Sequence, residues 1–104
     1  MPERKSGNRH FDENEQLIES AAQKVEMVIT MIRDGRYDSL TRKEGPCEGK
    51  TIVGVYWTMN LYNDVFPVIQ EGGNYIMINC SPGDNHVRKR QRVNSENVIL
   101  LQSF

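Results

Sequence analysis

Arginine is the side chain best shaped to grip a phosphate, because its planar fork donates two parallel hydrogen bonds. In this 104-residue chain four cations crowd five positions, Arg88, Lys89, Arg90 and Arg92, with Gln91 among them. In an extended segment Arg88, Arg90 and Arg92 share one face, and Lys89 and Gln91 share the other. Successive guanidiniums on that face stand about 6.5–7 Å apart, which matches phosphate spacing along a nucleic-acid strand. The run stands out against its surroundings: residues 51–85 contain no Lys or Arg and three acids, Asp64, Glu71 and Asp84. Two plainer readings compete with anion binding. One is a solvated edge strand whose charges block edge-to-edge pairing, and the other is a basic contact to an acidic protein.

Aromatic side chains supply a second chemistry. Tyr56, Trp57, Tyr62, Phe66 and Tyr75 are five of the eight aromatics and fall within twenty residues. Rings on a sheet surface hold bases by stacking, at ~1–3 kcal/mol each. Alternation groups Trp57 with Val53 and Val55, which reads as core, and leaves Tyr56, Tyr62 and Tyr75 as surface candidates. Converging with the arginine row, these tyrosines would make a base-plus-phosphate pocket. Arg36, and Arg42 beyond it, would join the row if the loop that carries them folds onto the sheet. The competing role for Arg33 and Arg36 is to offset the dipole at a helix C-terminus.

The segment Gly45-Pro46-Cys47-Glu48-Gly49-Lys50-Thr51 looks like a phosphate loop but is one residue short of that motif. It also runs into a strand-like stretch, where phosphate capture needs a helix N-terminus. It reads as a Gly-rich turn. Catalytic groupings are thin. His10 lies in a polar arm, and His86 is a lone loop histidine beside Asp84 and Asn85. No HExxH, GxSxG or Cys/His cluster occurs, so we expect no enzyme, no catalytic residues, no bound metal and no cofactor. Cys47 and Cys80, 33 residues apart and in no CxxC pair, read as reduced thiols.

Positioning these groups requires scaffold. Residues 1–10 are polar, carry Pro and Gly, and read as a flexible arm. Asp12, with Glu15 three residues on, has the spacing of a capping box. Leu17, Ile18, Ala21, Ala22, Val25, Val28, Ile29 and Ile32 then recur as one stripe of period 3.6, and Gly35 offers a stop. The predicted helix has about 22 residues and a length of roughly 33 Å. Met27 and Met31 widen its apolar stripe, and its length exceeds what a small sheet needs as cover. Either it bridges to a second subunit or its far half packs on the loop 36–50; a homo-oligomer is the favoured expectation.

From residue 50 the period becomes two. The first strand, over 50–61, places Val53, Val55, Trp57, Met59 and Leu61 on one face. A second strand covers 65–70, with Pro67 pointing to an edge position or a bulge. Glu71-Gly72-Gly73-Asn74 is a hairpin turn into a third strand at 75–80. One or two more strands follow over 88–93 and 97–102.

The predicted fold is α+β: one long N-terminal helix packed on a small, strongly bent antiparallel β-sheet or SH3-like barrel of four to five strands. Residues 11–104 form its single domain. The net charge of −1 excludes a bulk polycation, and 38% hydrophobic content with no apolar run of membrane-spanning length excludes a helical membrane span. With no signal-peptide pattern at the N-terminus, a cytoplasmic location is expected.

The leading functional reading is a non-enzymatic small binding protein for a phosphate-bearing ligand. That ligand is a free or cyclic nucleotide signal or a nucleic acid, in a regulatory or viral sequestering role. Arg88, Arg90, Arg92 and Arg36 would meet phosphate, and Tyr56, Tyr62 or Tyr75 would stack. The alternative is a small inhibitor or adaptor that docks on a protein partner through its helix, Met27 and Met31 included.

Overall fold

A computed structural model describes the backbone over residues 9–103 and side chains from Glu19 to Ser103. Most of the expected arm, residues 1–8, lies outside the described residues. Helix α1 spans Arg9–Arg33. Asp12 therefore falls inside the helix rather than capping it; no Gly or Pro stands between Gly7 and Gly35 to stop the helix extending backward.

The helix ends where expected. The Gly35 N–H donates to the Ile32 carbonyl (3.1 Å) and the Arg36 N–H to the Met31 carbonyl (2.9 Å). This pair of bonds is a Schellman motif, and it needs a left-handed residue at its corner, which Gly35 supplies with φ of 81°. Ala21, Val25, Val28 and Ile29 are buried along one stripe, whereas Ala22 and Thr30 face solvent.

Five antiparallel strands follow: β1 (Ile52–Trp57), β2 (Val65–Glu71), β3 (Asn74–Asn79), β4 (Lys89–Val93) and β5 (Val98–Leu100). They form one sheet in the order β4-β3-β2-β1-β5. The class is α+β as predicted, and the sheet is bent but not closed into a barrel. Gly54 pairs with Leu100 of β5. A Cβ there would run into the Ile99 carbonyl oxygen and lie 3.0 Å from the Leu100 Cα, so β5 lies against β1 at a distance only glycine permits.

One sheet face carries the main core. Ile52, Val55, Ile69 and Ile78 pack against Val25, Val28 and Ile29 of α1. The helix covers β1 and β2, and the segment between α1 and β1 supplies the remaining cover through buried Tyr37, Leu40 and Cys47. That segment is a chain of tight turns. It closes so narrowly that a Cβ on Gly45 would sit 2.7 and 2.8 Å from the carbonyl oxygens of Ser39 and Leu40. Each large apolar side chain buried here contributes about 1.5–3 kcal/mol of transfer free energy.

Three expectations are corrected. The register of β1 on β2 shifts between Ile52 and Gly54, a bulge that leaves Ile52, Val55 and Trp57 on the helix side and takes Val53 off it. The strand also stops at Trp57, so Met59 (58% exposed) and Leu61 (77%) lie in a loop and not on a core face. Pro67, expected at an edge or bulge, sits in the central strand. Pairing of β2 with β3 begins only at Val68, so the missing N–H of Pro67 interrupts no ladder bond to β3. No helix among the described residues is long and apolar enough to cross a membrane.

Candidate ligand-binding surfaces

The basic row forms one free edge of the sheet. On β4, Arg90 pairs with Ile78 and Arg92 with Ile76, which puts both arginines on the helix side. Lys89 and Gln91 pair with Asn79 and Met77 on the other side. All four side chains are exposed. Arg90 is clamped: its Nη2 donates to both carboxylate oxygens of Glu71 (3.0 and 3.1 Å), and its Nη1 donates to the Pro46 carbonyl (3.3 Å). Lys50 Nζ adds a second cation 3.4 Å from the same carboxylate and 3.6 Å from Glu48. Such exposed pairs are worth about 0–1 kcal/mol, so they orient Arg90 more than they stabilise the fold.

Arg88 precedes β4 and donates weakly to the Ser81 hydroxyl at 3.4 Å. The Lys89 and Arg92 side chains make no hydrogen bond or ion pair among the described residues. Arg36 is brought toward this end by backbone: its carbonyl accepts the Gly83 N–H at 2.7 Å, and Ser39 Oγ donates to the Asp84 carbonyl at 2.9 Å. The turn segment thus does fold against the β3–β4 connection.

The tyrosines are elsewhere. Tyr56 lies on the sheet face away from the helix, beside Phe66 of β2 and Val98 of β5. Tyr75 shares that face in a row with Gln70 and Val93. It lines an open cleft of about 400 Å3 formed with Val53, Leu100 and Gln102. Tyr62 is 72% exposed at the tip of the β1–β2 loop. The three rings do not converge, and Arg90 and Arg92 stand on the opposite face from Tyr56 and Tyr75.

The sequence marks turn formers over 60–64, but the β1–β2 loop begins earlier than expected, just after Trp57. Met59 and Asn63 both hold left-handed backbone, with φ of 58° and 52°. Buried Asn63 accepts the Trp57 indole N–H at 3.1 Å. Lys24 Nζ donates to the Tyr62 carbonyl at 2.9 Å, and the Tyr62 N–H donates to Asn60 Oδ1 at 2.9 Å. Thr58 Oγ1 is buried with no hydrogen-bond partner among the described residues. The result is a fixed loop presenting Met59, Leu61 and Tyr62, with exposed Met27 one helical turn beyond Lys24. The signal present in sequence was the Asn60 and Asn63-Asp64 turn chemistry, which outranks the period-two pattern running through Met59 and Leu61.

Reactive groups are muted. Burial pushes the Cys47 thiol above its ordinary pKa, with Arg90 opposing the shift and Glu71 adding to it. Burial likewise raises Cys80, aided by Asp84, and its thiol donates to the Asp84 carbonyl at 3.2 Å. Both thiols are therefore protonated near neutral pH and are weak nucleophiles. The backbone N–H of His86 donates to Asp84 Oδ1 (3.1 Å) in a local turn, and its side chain is exposed. Among the described residues no three His, Cys, Asp or Glu side chains gather as metal ligands. The segment after Gly45 enters strand β1 and buries Cys47, so the turn reading of that glycine-rich stretch holds. Compared with protein-family models, curated proteins and solved structures, the chain matches none of them.

Proposed function

We propose that the chain is a small non-enzymatic binding protein whose β4 edge takes a phosphate-bearing ligand, a nucleotide or a nucleic acid. The observation that carries this reading is a strand, β4, at the edge of the described sheet that carries Lys89 and Arg92, with Arg88 just before it, all three exposed and unneutralised by any described carboxylate. Arg90 stands among them, already oriented by Glu71 and Pro46. Arg36 extends the basic surface from the neighbouring turn segment. The free, buried thiols suit the reducing conditions of a cytoplasm.

The test is fluorescence anisotropy with a labelled single-stranded oligonucleotide across a salt series. Each neutralised phosphate contributes a slope of about −0.7 in log K against log salt. Arg88→Ala combined with Arg92→Ala is expected to flatten the slope by about 1.4 and weaken binding roughly tenfold at low salt. Binding that is flat with salt and indifferent to this pair overturns the reading.

The strained β1–β2 loop favours a second reading, a protein-docking module. Large exposed apolar side chains on a fixed loop resemble the anchors of an interface, and a second copy of the chain is one partner it would fit. In this reading Met27→Ser with Leu61→Ser abolishes partner capture or self-association, followed by native mass spectrometry, while the arginine pair does nothing to it.

A further inference from the structure

The cleft around Tyr75 differs chemically from the basic β4 edge. Ile52, Val53, Gln70, Tyr75, Leu100 and Gln102 contribute to it, and no charged side chain does. Its volume of about 400 Å3 falls in the range of small-molecule sites, ~300–1,000 Å3. The floor is aliphatic, and the polar functions are two carboxamides and one phenol. Each carboxamide offers an acceptor oxygen and two N–H donors. The complement of such a lining is uncharged and flat, with donors and acceptors along its rim. The adjoining cleft, lined by Arg33, Asp38, Thr41 and Thr51, has a different character and suits a charged group.

We infer that the Tyr75 cleft is a subsite for a nucleobase. The inference rests on the reading of β4 as the phosphate-binding edge, and the strand register links the two. Gln70, Tyr75 and Val93 form one cross-strand row, and Val93 directly follows Arg92. Neighbouring strands are about 4.8 Å apart, so Tyr75 is a single strand spacing from the edge. Arg92 points to the helix side, but at a free edge its long side chain reaches a phosphate that runs along the rim. A nucleotide unit there passes over Val93 and brings its base to Tyr75 and the cleft beyond it. The required ligand bears both chemistries, a heterocycle and a phosphate, and it comes from a free nucleotide or from a single strand.

Amide-detected NMR titration with adenosine and uridine, which carry no phosphate, isolates the cleft. The nucleosides are expected to shift Gln70, Tyr75 and Gln102 regardless of salt. Tyr75→Ala weakens them roughly 5- to 150-fold, Tyr75→Phe retains most binding, and Arg92→Ala leaves it unchanged. Gln70→Leu, at an exposed position that leaves the fold intact, weakens them several-fold. A mononucleotide and a 12-mer single strand run in parallel identify the source: affinity rising with length assigns a polynucleotide, and equal affinity assigns a free nucleotide. Nucleosides that shift nothing in the cleft while the 12-mer still binds overturn the subsite and leave the edge reading standing. A 12-mer and a mononucleotide that both fail to bind overturn the edge reading and the inference with it.

Discussion

Along β4 the backbone is regular and the exposed side chains carry charge; in the β1–β2 loop the outermost side chains are apolar and the backbone carries strain. The first region costs the fold little, because solvated cations on an edge strand retain their water and also discourage aggregation. The second is costly. Two left-handed residues and a buried unpaired hydroxyl each cost of order 1–3 kcal/mol, and they persist only because surrounding bonds hold them. Regularity at the edge makes its chemistry tunable by single substitutions, whereas the loop stands or falls on its supports.

The largest expected effect tests those supports. Asn63→Ala removes the acceptor of the Trp57 indole and leaves a side chain with little tolerance for φ of 52°. Chemical denaturation is expected to show a loss of about 2–4 kcal/mol. A loss under about 0.5 kcal/mol would mean the loop is not held as described.

Next comes alkaline pH, which acts on buried groups away from the β1–β2 loop: Cys47, Cys80 and, at higher pH, Tyr37. Cys47 and Cys80 have raised pKa values in the fold, through burial first, so the unfolded chain releases their protons earlier. Stability is intact below pH about 8.5 and falls above it, with a limiting slope of ~1.4 kcal/mol per pH unit for each thiol. Replacing both cysteines by alanine should flatten that decline, and loop variants should leave it in place. Urea melts between neutral and alkaline pH decide the point.

A smaller effect has the opposite sign. Met59→Gly relieves φ of 58° and should raise stability by about 0.5–1 kcal/mol, read from the denaturation midpoint. Loss of partner capture in the same variant would mark Met59 as a docking anchor. The smallest effect lies at the edge. Glu71→Gln frees Arg90 from its carboxylate and should tighten oligonucleotide binding by a few-fold at low salt, with stability changed by less than about 1 kcal/mol. Unchanged affinity would show that Arg90 takes no part.

Much of the scaffold was legible in the residues. The 3.6-period stripe led to Gly35, and Gly35 ended the helix; Gly72-Gly73 turned β2 into β3. The bulge in β1 was not legible. A single extra residue leaves composition unchanged yet moves Val53 to the other face. The end of β1 was hidden too, because Met59 and Leu61 prolong the alternation. Pro67 misled for a related reason: whether a proline is tolerated depends on which neighbouring ladder has stopped beside it, a property of the partner strand.

The candidate surfaces divide along the same line. Local chemistry was enough to determine the helix and its stop, the order of strands along the chain, and a row of cations at alternate positions. Each follows from interactions within a few residues: intrahelical bonds, turn conformations, the two-residue pleat. Only the tertiary structure decided that Tyr75 stands opposite Val93 and not opposite Arg92. That register is set by the path of the chain between Cys80 and Arg88, and a shift of one residue would have put ring and guanidinium on one face. It also decided that Glu71, nineteen residues before Arg90, would hold it, and that Gln102 would meet Gln70 across a cleft. Such pairings join residues far apart in sequence, and they come from packing of the sheet, helix and turn segment around one core, which no local pattern encodes.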